Sequence, residues 1–280
     1  MDFVKMHGLG NDFVFIEDKM GQDKDYTALA RAMCNRHTGI GADGLIVIVD
    51  SRVADVRMRI INSDGSEAEM CGNGIRCFAK YVYDSGIIEK KQFTVETPAG
   101  IMEPEITVGA DNKAELITIN MGRPSFNRSE IPMEGADGRV LNEDLCVDGE
   151  NWKITSLLMG VPHTVTYVDD VDSVDIEKIG PLFEKHEAFP KHTNINFAQQ
   201  MDDRTVKVRT WERGAGATLA CGTGSCSVAV ASFLNGRTGR EVDIQLPLGT
   251  LHIEYREEDG NVYMTGPAAV SFTGTWPDET

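Results

Sequence analysis

Positive charge is scarce in this 280-residue chain, where 27 Lys and Arg stand against 44 Asp and Glu for a formal net charge of −17. Such an acidic surface repels phosphate backbones and anionic bilayers, so neither nucleic acid nor a membrane is an expected partner. Long apolar runs are missing as well: no stretch approaches the roughly 18 uncharged apolar residues of a spanning helix. The opening Met1-Asp2-Phe3-Val4-Lys5-Met6-His7-Gly8 has no basic segment leading into an apolar one, and a cytoplasmic location is expected. The six cysteines contain no Cys-x-x-Cys. Their uneven spacing reads as reduced thiols and not as a disulfide framework. The intervals Cys71 to Cys77 and Cys221 to Cys226 are unlike paired zinc ligands. No P-loop occurs, and Gly8 and Gly10 are followed by no third glycine at the dinucleotide-binding interval.

What the chain does contain is one thiol-bearing turn written twice, Met70-Cys71-Gly72-Asn73-Gly74 and Ala220-Cys221-Gly222-Thr223-Gly224-Ser225-Cys226, each opening an apolar helix. With a shift of about 150 positions, Cys71 falls on Cys221, Gly74 on Gly224, Ala79 on Ala229 and Gly86 on Gly236. Thr97-Pro98-Ala99-Gly100 meets Leu246-Pro247-Leu248-Gly249, and His37-Thr38 meets His192-Thr193. Matches in one order at nearly one spacing indicate a duplicated domain. No low-complexity linker separates the copies, and the composition changes at Gly122-Arg123-Pro124. The expected halves are therefore 1–121 and 122–265, with 266–280 returning to the first.

Periodicity places strands over Val4–Asp18 (two, about a glycine turn), Leu45–Val49, Val56–Ile61, Phe93–Glu96, Ile101–Val108 and Leu116–Ile119. A helix is expected over Tyr26–Arg36. Another follows Gly74, where Ile75, Phe78, Ala79 and Val82 share one face. The second half repeats the plan: strands at Trp152–Leu158, Val165–Val168, Val206–Trp211, Val242–Leu246, Leu251–Tyr255, Val262–Thr265 and Ala268–Phe272, with helices over Val174–His186 and Gly224–Leu234. The last helix is apolar on every side and must be enclosed by sheet.

Each cysteine thus sits where a buried helix begins. Unpaired N–H groups and the positive dipole end attract anions and lower the pKa of a nearby thiol. The Gly-x-Gly after each cysteine lets backbone approach a ligand. A carboxylate held between two such starts would have a potential thiolate base on each side, an arrangement suited to taking a proton from one face of a carbon and returning it on the other. Cys34, Cys77, Cys146 and Cys226 read as ordinary core thiols.

Over nearly its whole length the chain resembles diaminopimelate epimerases. The resemblance is carried by Met6-His7-Gly8-Leu9-Gly10-Asn11-Asp12-Phe13, Asn62-Ser63-Asp64-Gly65-Ser66-Glu67, Cys71-Gly72-Asn73-Gly74, Glu212-Arg213-Gly214-Ala215-Gly216 and Cys221-Gly222-Thr223-Gly224. The cysteine loops alone would indicate only the wider superfamily, which includes proline racemases. The resemblance implies an α/β (α+β) fold of two pseudo-symmetric domains, each a mostly antiparallel sheet wrapped around a central helix. It implies conversion of LL-2,6-diaminopimelate to the meso form, a step toward lysine and peptidoglycan precursors, without pyridoxal phosphate or any other cofactor or metal. Cys71 and Cys221 would be the acid–base pair, with backbone N–H groups of Gly72-Asn73 and Gly222-Thr223 holding the reacting carboxylate. Asn11, Asn62, Asn194, Glu212 and Arg213 would fix the distal amino-acid end, while His163 and Glu212 would help set the protonation of the thiols. The partner would be the small amino-acid substrate, and a homodimer is left open.

Two positions depart from the family. Val161 stands where many members have Asn before the Pro-His at Pro162-His163, and Ala217 stands where Glu is frequent. Both favour the nearer alternative, a cofactor-independent racemase of another amino acid such as lanthionine or histidine. The intact Asn62, Asn194 and Arg213 disfavour it. A thiol redox sensor using Cys71 and Cys221 is the alternative of another class, and polar groups around the thiols argue against it.

Overall fold

The computed structural model describes residues 1–18 and 24–277; residues 278–280 of the expected return segment lie outside them. The chain divides into two compact units, Met1–Ile119 with the segment from Gly266 onward, and Asn120–Thr265.

The first unit contains strands β1 (Asp2–Gly8) and β2 (Asn11–Glu17), helix α1 (Tyr26–Cys34), strands β3 (Gly44–Val49), β4 (Val56–Asn62) and β5 (Glu67–Ala68), helix α2 (Gly72–Asp84), and strands β6 (Val95–Thr97) and β7 (Gly100–Met102). Its sheet runs in the order Ala269–Thr275, β1, β2, β3, β4, β6, β7, with β5 added to β4. All neighbours are antiparallel except β2 with β3 and β4 with β6. Strand β3, Gly-Leu-Ile-Val-Ile-Val, is buried at every position, as a strand covered on both faces must be. Alternation decides which face meets which helix. Leu45, Val47 and Val49 join Ala30, Met33 and Cys34 of α1 in one core, whereas Ile46 lies beside Gly74 of α2. A hairpin of β8 (Glu105–Val108) and β9 (Ala114–Asn120) follows. The run expected as one strand over Ile101–Val108 is thus two, broken at Glu103-Pro104, because proline has no N–H for a ladder.

The second unit contains β10 (Val140–Val147), β11 (Glu150–Met159), β12 (Val161–Tyr167), a 3-10 turn at Val171–Ser173, α3 (Ile176–Glu184), β13 (Asn194–Gln200), β14 (Thr205–Glu212), β15 (Gly216–Thr218), α4 (Gly222–Leu234), β16 (Glu241–Leu246), β17 (Gly249–Tyr255) and β18 (Val262–Gly266). Its strands run β10, β11, β12, β13, β14, β16, β17, β18, with β15 on β14. Parallel pairs occur only at β12 with β13 and β14 with β16. Helix α4 packs against β11, β12, β13, β14, β16 and β17 and is buried along most of its length. Its serines are accommodated because Ser225 and Ser227 donate to the carbonyls of Cys221 and Thr223, one turn back.

The duplication holds strand for strand. Phe13 pairs with Gly44 across β2 and β3 as His163 pairs with Asn194 across β12 and β13, each equivalent pair 150 positions apart. Both central helices end at a left-handed glycine, Gly86 with φ 74° and Gly236 with φ 67°. The proposed match of His37-Thr38 with His192-Thr193 fails. The latter pair directly precedes β13, while the former lies farther back, in the loop before β3. Strands β10 and β13 go unmarked by periodicity. The former exposes much of its length, and the latter puts Asn194 and Asn196 where apolar residues would signal burial. The helix expected over Val174–His186 is Ile176–Glu184. Among the described residues no helix is long and apolar enough to cross a membrane.

Candidate active site

Each cysteine is the N-cap of its helix, with its sulfur where serine or aspartate oxygen usually sits. Cys71 accepts the Gly74 N–H at 3.5 Å, and Cys221 accepts the Gly224 N–H at 3.4 Å. The thiols therefore face the positive ends of α2 and α4 as a consequence of helix initiation itself. The glycine three residues on is packed closely by the protein itself. A Cβ on Gly224 would meet Asn196 Oδ1 at 2.5 Å and Cys221 Sγ at 3.2 Å; one on Gly74 would meet Ile46 Cδ1 at 3.3 Å. The protein's own strand residues press against these positions.

In the first unit Cys71 is partly exposed, and its thiol donates to Asn11 Oδ1 at 3.5 Å. The same oxygen accepts from Asn73 Nδ2 at 3.2 Å, while the Asn11 Nδ2 donates to Asp43 Oδ2 at 2.7 Å. Asp43 in turn holds the Asp12 N–H at 3.0 Å and Arg36 Nη2 at 2.7 Å. A carboxylate only accepts, so Asp43 aims the Asn11 oxygen at the thiol. Gly72 and Asn73 supply the first helical N–H groups of α2, which no i−4 carbonyl can take. Asn62 ends β4 opposite Gly44, with its amide donating to Ser66 Oγ at 3.0 Å within its own turn.

In the second unit Cys221 is buried. Burial, reinforced by the negative charge of Glu212 and a hydrogen bond to it, raises the Cys221 thiol well above its usual range, against the opposing pull of Thr223 and the Gly224 N–H. The expected lowering by the helix dipole is thus overturned: desolvation wins, and Cys221 rests as a thiol donating to the Glu212 carboxylate. Glu212 also accepts from Thr218 Oγ1 at 2.5 Å. His163 is fully buried. Its Nε2 lies 2.9 Å from Thr223 Oγ1, and Thr223 Oγ1 lies 3.6 Å from the sulfur. Burial, then the Arg213 charge, lowers the His163 pKa to about 3, so the ring is neutral. Gly222 and Thr223 open α4 as Gly72 and Asn73 open α2.

The structure thus gathers Asn11, Gly72 and Asn73 around Cys71, and Glu212, His163, Gly222 and Thr223 around Cys221. Asn194 is buried, with Oδ1 accepting the Arg213 N–H at 2.8 Å and Nδ2 donating to Pro162 O at 2.8 Å. It braces the Glu212-Arg213 turn. Arg213 is exposed, with Nη1 on Lys191 O at 2.9 Å. Glu184 braces the same turn by accepting Trp211 Nε1 at 2.7 Å and the Gly214 N–H at 3.1 Å. Sequence reasoning missed Asp43, Glu184 and Asn196. The first two lie in a loop and a helix without a pattern to single them out. Asn196 carried a signal, since Asn194-x-Asn196 places two amides on one face of a strand.

The diaminopimelate epimerase family profile matches residues 3–127 and 155–271. A diaminopimelate epimerase from Heliobacterium modesticaldum is 50% identical over 280 residues, covering 99% of this chain and 100% of that one. Among solved structures, a phenazine biosynthesis protein of the PhzF family from Bacillus anthracis aligns with a TM-score of 0.70 at 16% identity, covering 98% of each chain. A probable proline racemase from Agrobacterium radiobacter K84 aligns at 0.69 and 16%, covering 99% of this chain and 93% of that one. At such identities the two structures share the fold.

Proposed function

This chain belongs to the diaminopimelate epimerase family, and from that premise we propose that it converts LL-2,6-diaminopimelate to the meso form with Cys71 and Cys221 as its two proton-transfer groups. It is an isomerase, and the observation that carries the two-thiol reading is the placement of one sulfur as N-cap of each central helix. The reacting carboxylate takes N–H groups at the starts of α2 and α4, which stabilise the charge spreading into it as the α-proton leaves.

Before that step the Cys221 proton passes to Glu212, leaving a thiolate and a neutral carboxylic acid. Thr223 O–H and the Gly224 N–H then face the sulfur's charge. The thiolate takes the α-proton from one face, and the Cys71 thiol gives its proton to the other face, becoming the thiolate; loss of the Glu212 proton to solvent and uptake of one by Cys71 then restore the starting state. In the reverse direction the thiols exchange roles. Both groups come from the chain, so no added cofactor or metal is called for. Asn11, Asn62, Asn194, Glu212 and Arg213 hold the distal end, two of them through the turn that Asn194 and Glu184 brace. Val161 removes one polar partner from that set, and Ala217 in β15 is exposed.

Incubation with LL-diaminopimelate in deuterated water, without added cofactor, tests both parts. Deuterium should enter one α-position as the meso isomer accumulates. Turnover of lanthionine or histidine with no turnover of diaminopimelate would replace the substrate, and inversion without solvent exchange would exclude thiol acid–base catalysis.

A further inference from the structure

Strand register makes Phe13 the counterpart of His163 and Ile46 the counterpart of Asn196. Ile46 and Asn196 each lie against the second glycine after their cysteine. The first unit therefore fills with an apolar pair the place where the second buries an imidazole and an amide, and Phe13, Ile46, His163 and Asn196 are all at most 3% exposed. Burying polar groups where an apolar pair would serve is unfavourable unless they are fully bonded. These are bonded, and in one direction.

Asn196 Nδ2 lies 3.1 Å from Thr164 O and 3.3 Å from His163 Nδ1, while its Oδ1 accepts from Thr210 Oγ1 at 3.0 Å. A backbone carbonyl cannot donate, so the end of the amide facing Thr164 is the NH2. That same end faces Nδ1, which must then be the unprotonated nitrogen of the ring. The ring proton is left on Nε2, pointing at Thr223 Oγ1 2.9 Å away. A hydroxyl has one hydrogen. With its oxygen already accepting from the ring, Thr223 is free to turn that hydrogen to Cys221 Sγ at 3.6 Å.

We propose that Asn196 is a positioning residue that fixes His163 in the Nε2–H tautomer, so that donors from Asn196, His163 and Thr223 run in series toward the sulfur of Cys221. The inference rests on Cys221 being an acid–base thiol. His163 then serves as a neutral, fixed donor and never as the base. The opposite tautomer would draw the Thr223 hydrogen to Nε2 and leave the thiolate without it. The low pKa of the buried ring fits this part, since Arg213 is the charged group acting on it and disfavours an imidazolium. In the first unit Asn73 occupies the place of Thr223 and donates to Asn11.

Nitrogen-15 NMR of histidine-labelled protein reads the tautomer directly, with the His163 signals identified by their loss in His163→Gln. In the wild type they should report the neutral Nε2–H form without change from about pH 5 to 8, where an ordinary histidine changes charge. An Nδ1–H form, or a charge change in that range, overturns the proposal. Asn196→Asp puts an acceptor against Nδ1. It should move the His163 signals to the Nδ1-protonated pattern and lower kcat about tenfold or more, with KM changed less than about twofold. Unmoved His163 signals, with or without a loss of kcat, would assign Asn196 a packing role and likewise overturn it. Should that variant not fold, the wild-type spectrum alone decides. A wild type with the expected tautomer but no exchange of any α-proton would leave the hydrogen-bond assignment standing and refute the proposed function instead.

Discussion

The two units match strand for strand and begin their central helices with the same capping thiol, yet the chemistry around the two sulfurs differs. Cys71 is partly exposed and faces the Asn11 amide, itself aimed by Asp43. Cys221 is buried and faces a carboxylate, with a hydroxyl and an imidazole behind. At equivalent register Asn62 corresponds to Glu212, Phe13 to His163, Ile46 to Asn196 and Asn73 to Thr223. Duplication supplied two helix starts, and the substitutions that followed placed a carboxylate, a hydroxyl and an imidazole around only the second sulfur. A buried thiol resists losing its proton and needs a base beside it. The partly exposed Cys71 donates instead to an amide oxygen, that of Asn11.

Removing either sulfur abolishes whatever the two sites share and should have the largest effect. Cys71→Ser and Cys221→Ser should each lower kcat by about 10²–10⁴-fold, since a hydroxyl is too weak an acid to replace the thiol. Near-normal turnover in either variant would end the two-base scheme. Next, Glu212→Gln brings the second site nearer the first by putting an amide in place of the carboxylate beside Cys221. We expect kcat to drop about 10²-fold. Unchanged turnover would mean that Cys221 needs no neighbouring base.

A full transplant, His163→Phe with Asn196→Ile, installs the first unit's apolar pair in the second and sharpens the comparison through stability. The His163 pKa lies near 3 in the folded chain against 6.5 ordinarily. In that interval the unfolded chain binds a proton that the native chain refuses, so stability is complete above about pH 6.5 and is lost as pH falls toward 3. The double variant should therefore flatten the acid limb of the stability curve while losing about tenfold or more in kcat. An acid limb identical to that of the wild type would show that His163 is not what acid attacks. The smallest effect is expected at Val161, the register counterpart of Asn11. Val161→Asn should lower KM for diaminopimelate several-fold with kcat nearly unchanged, as added uniform binding does. Loss of a different amino-acid activity in this variant would mark Val161 as the sign of a changed substrate.

The repeat at a shift of 150, the two capping cysteines, the apolar helix that must be enclosed and the glycine stops were all legible in the sequence, because periodicity and capping are local properties of consecutive residues. So was the set of polar residues carried by family resemblance. Only the tertiary structure decided what those residues touch. It showed Asn194 bracing a turn, overturned the expectation of an acidic thiol at Cys221, and put Asp43 against Asn11, Glu184 against the Glu212-Arg213 turn and Asn196 against His163. A helix dipole is set by the helix alone, but desolvation and the direction of a hydrogen bond depend on what strands distant in sequence bring alongside. Strand β13 shows the limit most plainly. Its asparagines hid it from a pattern search for apolar alternation, and that same departure places an amide behind His163 where the duplicate has isoleucine.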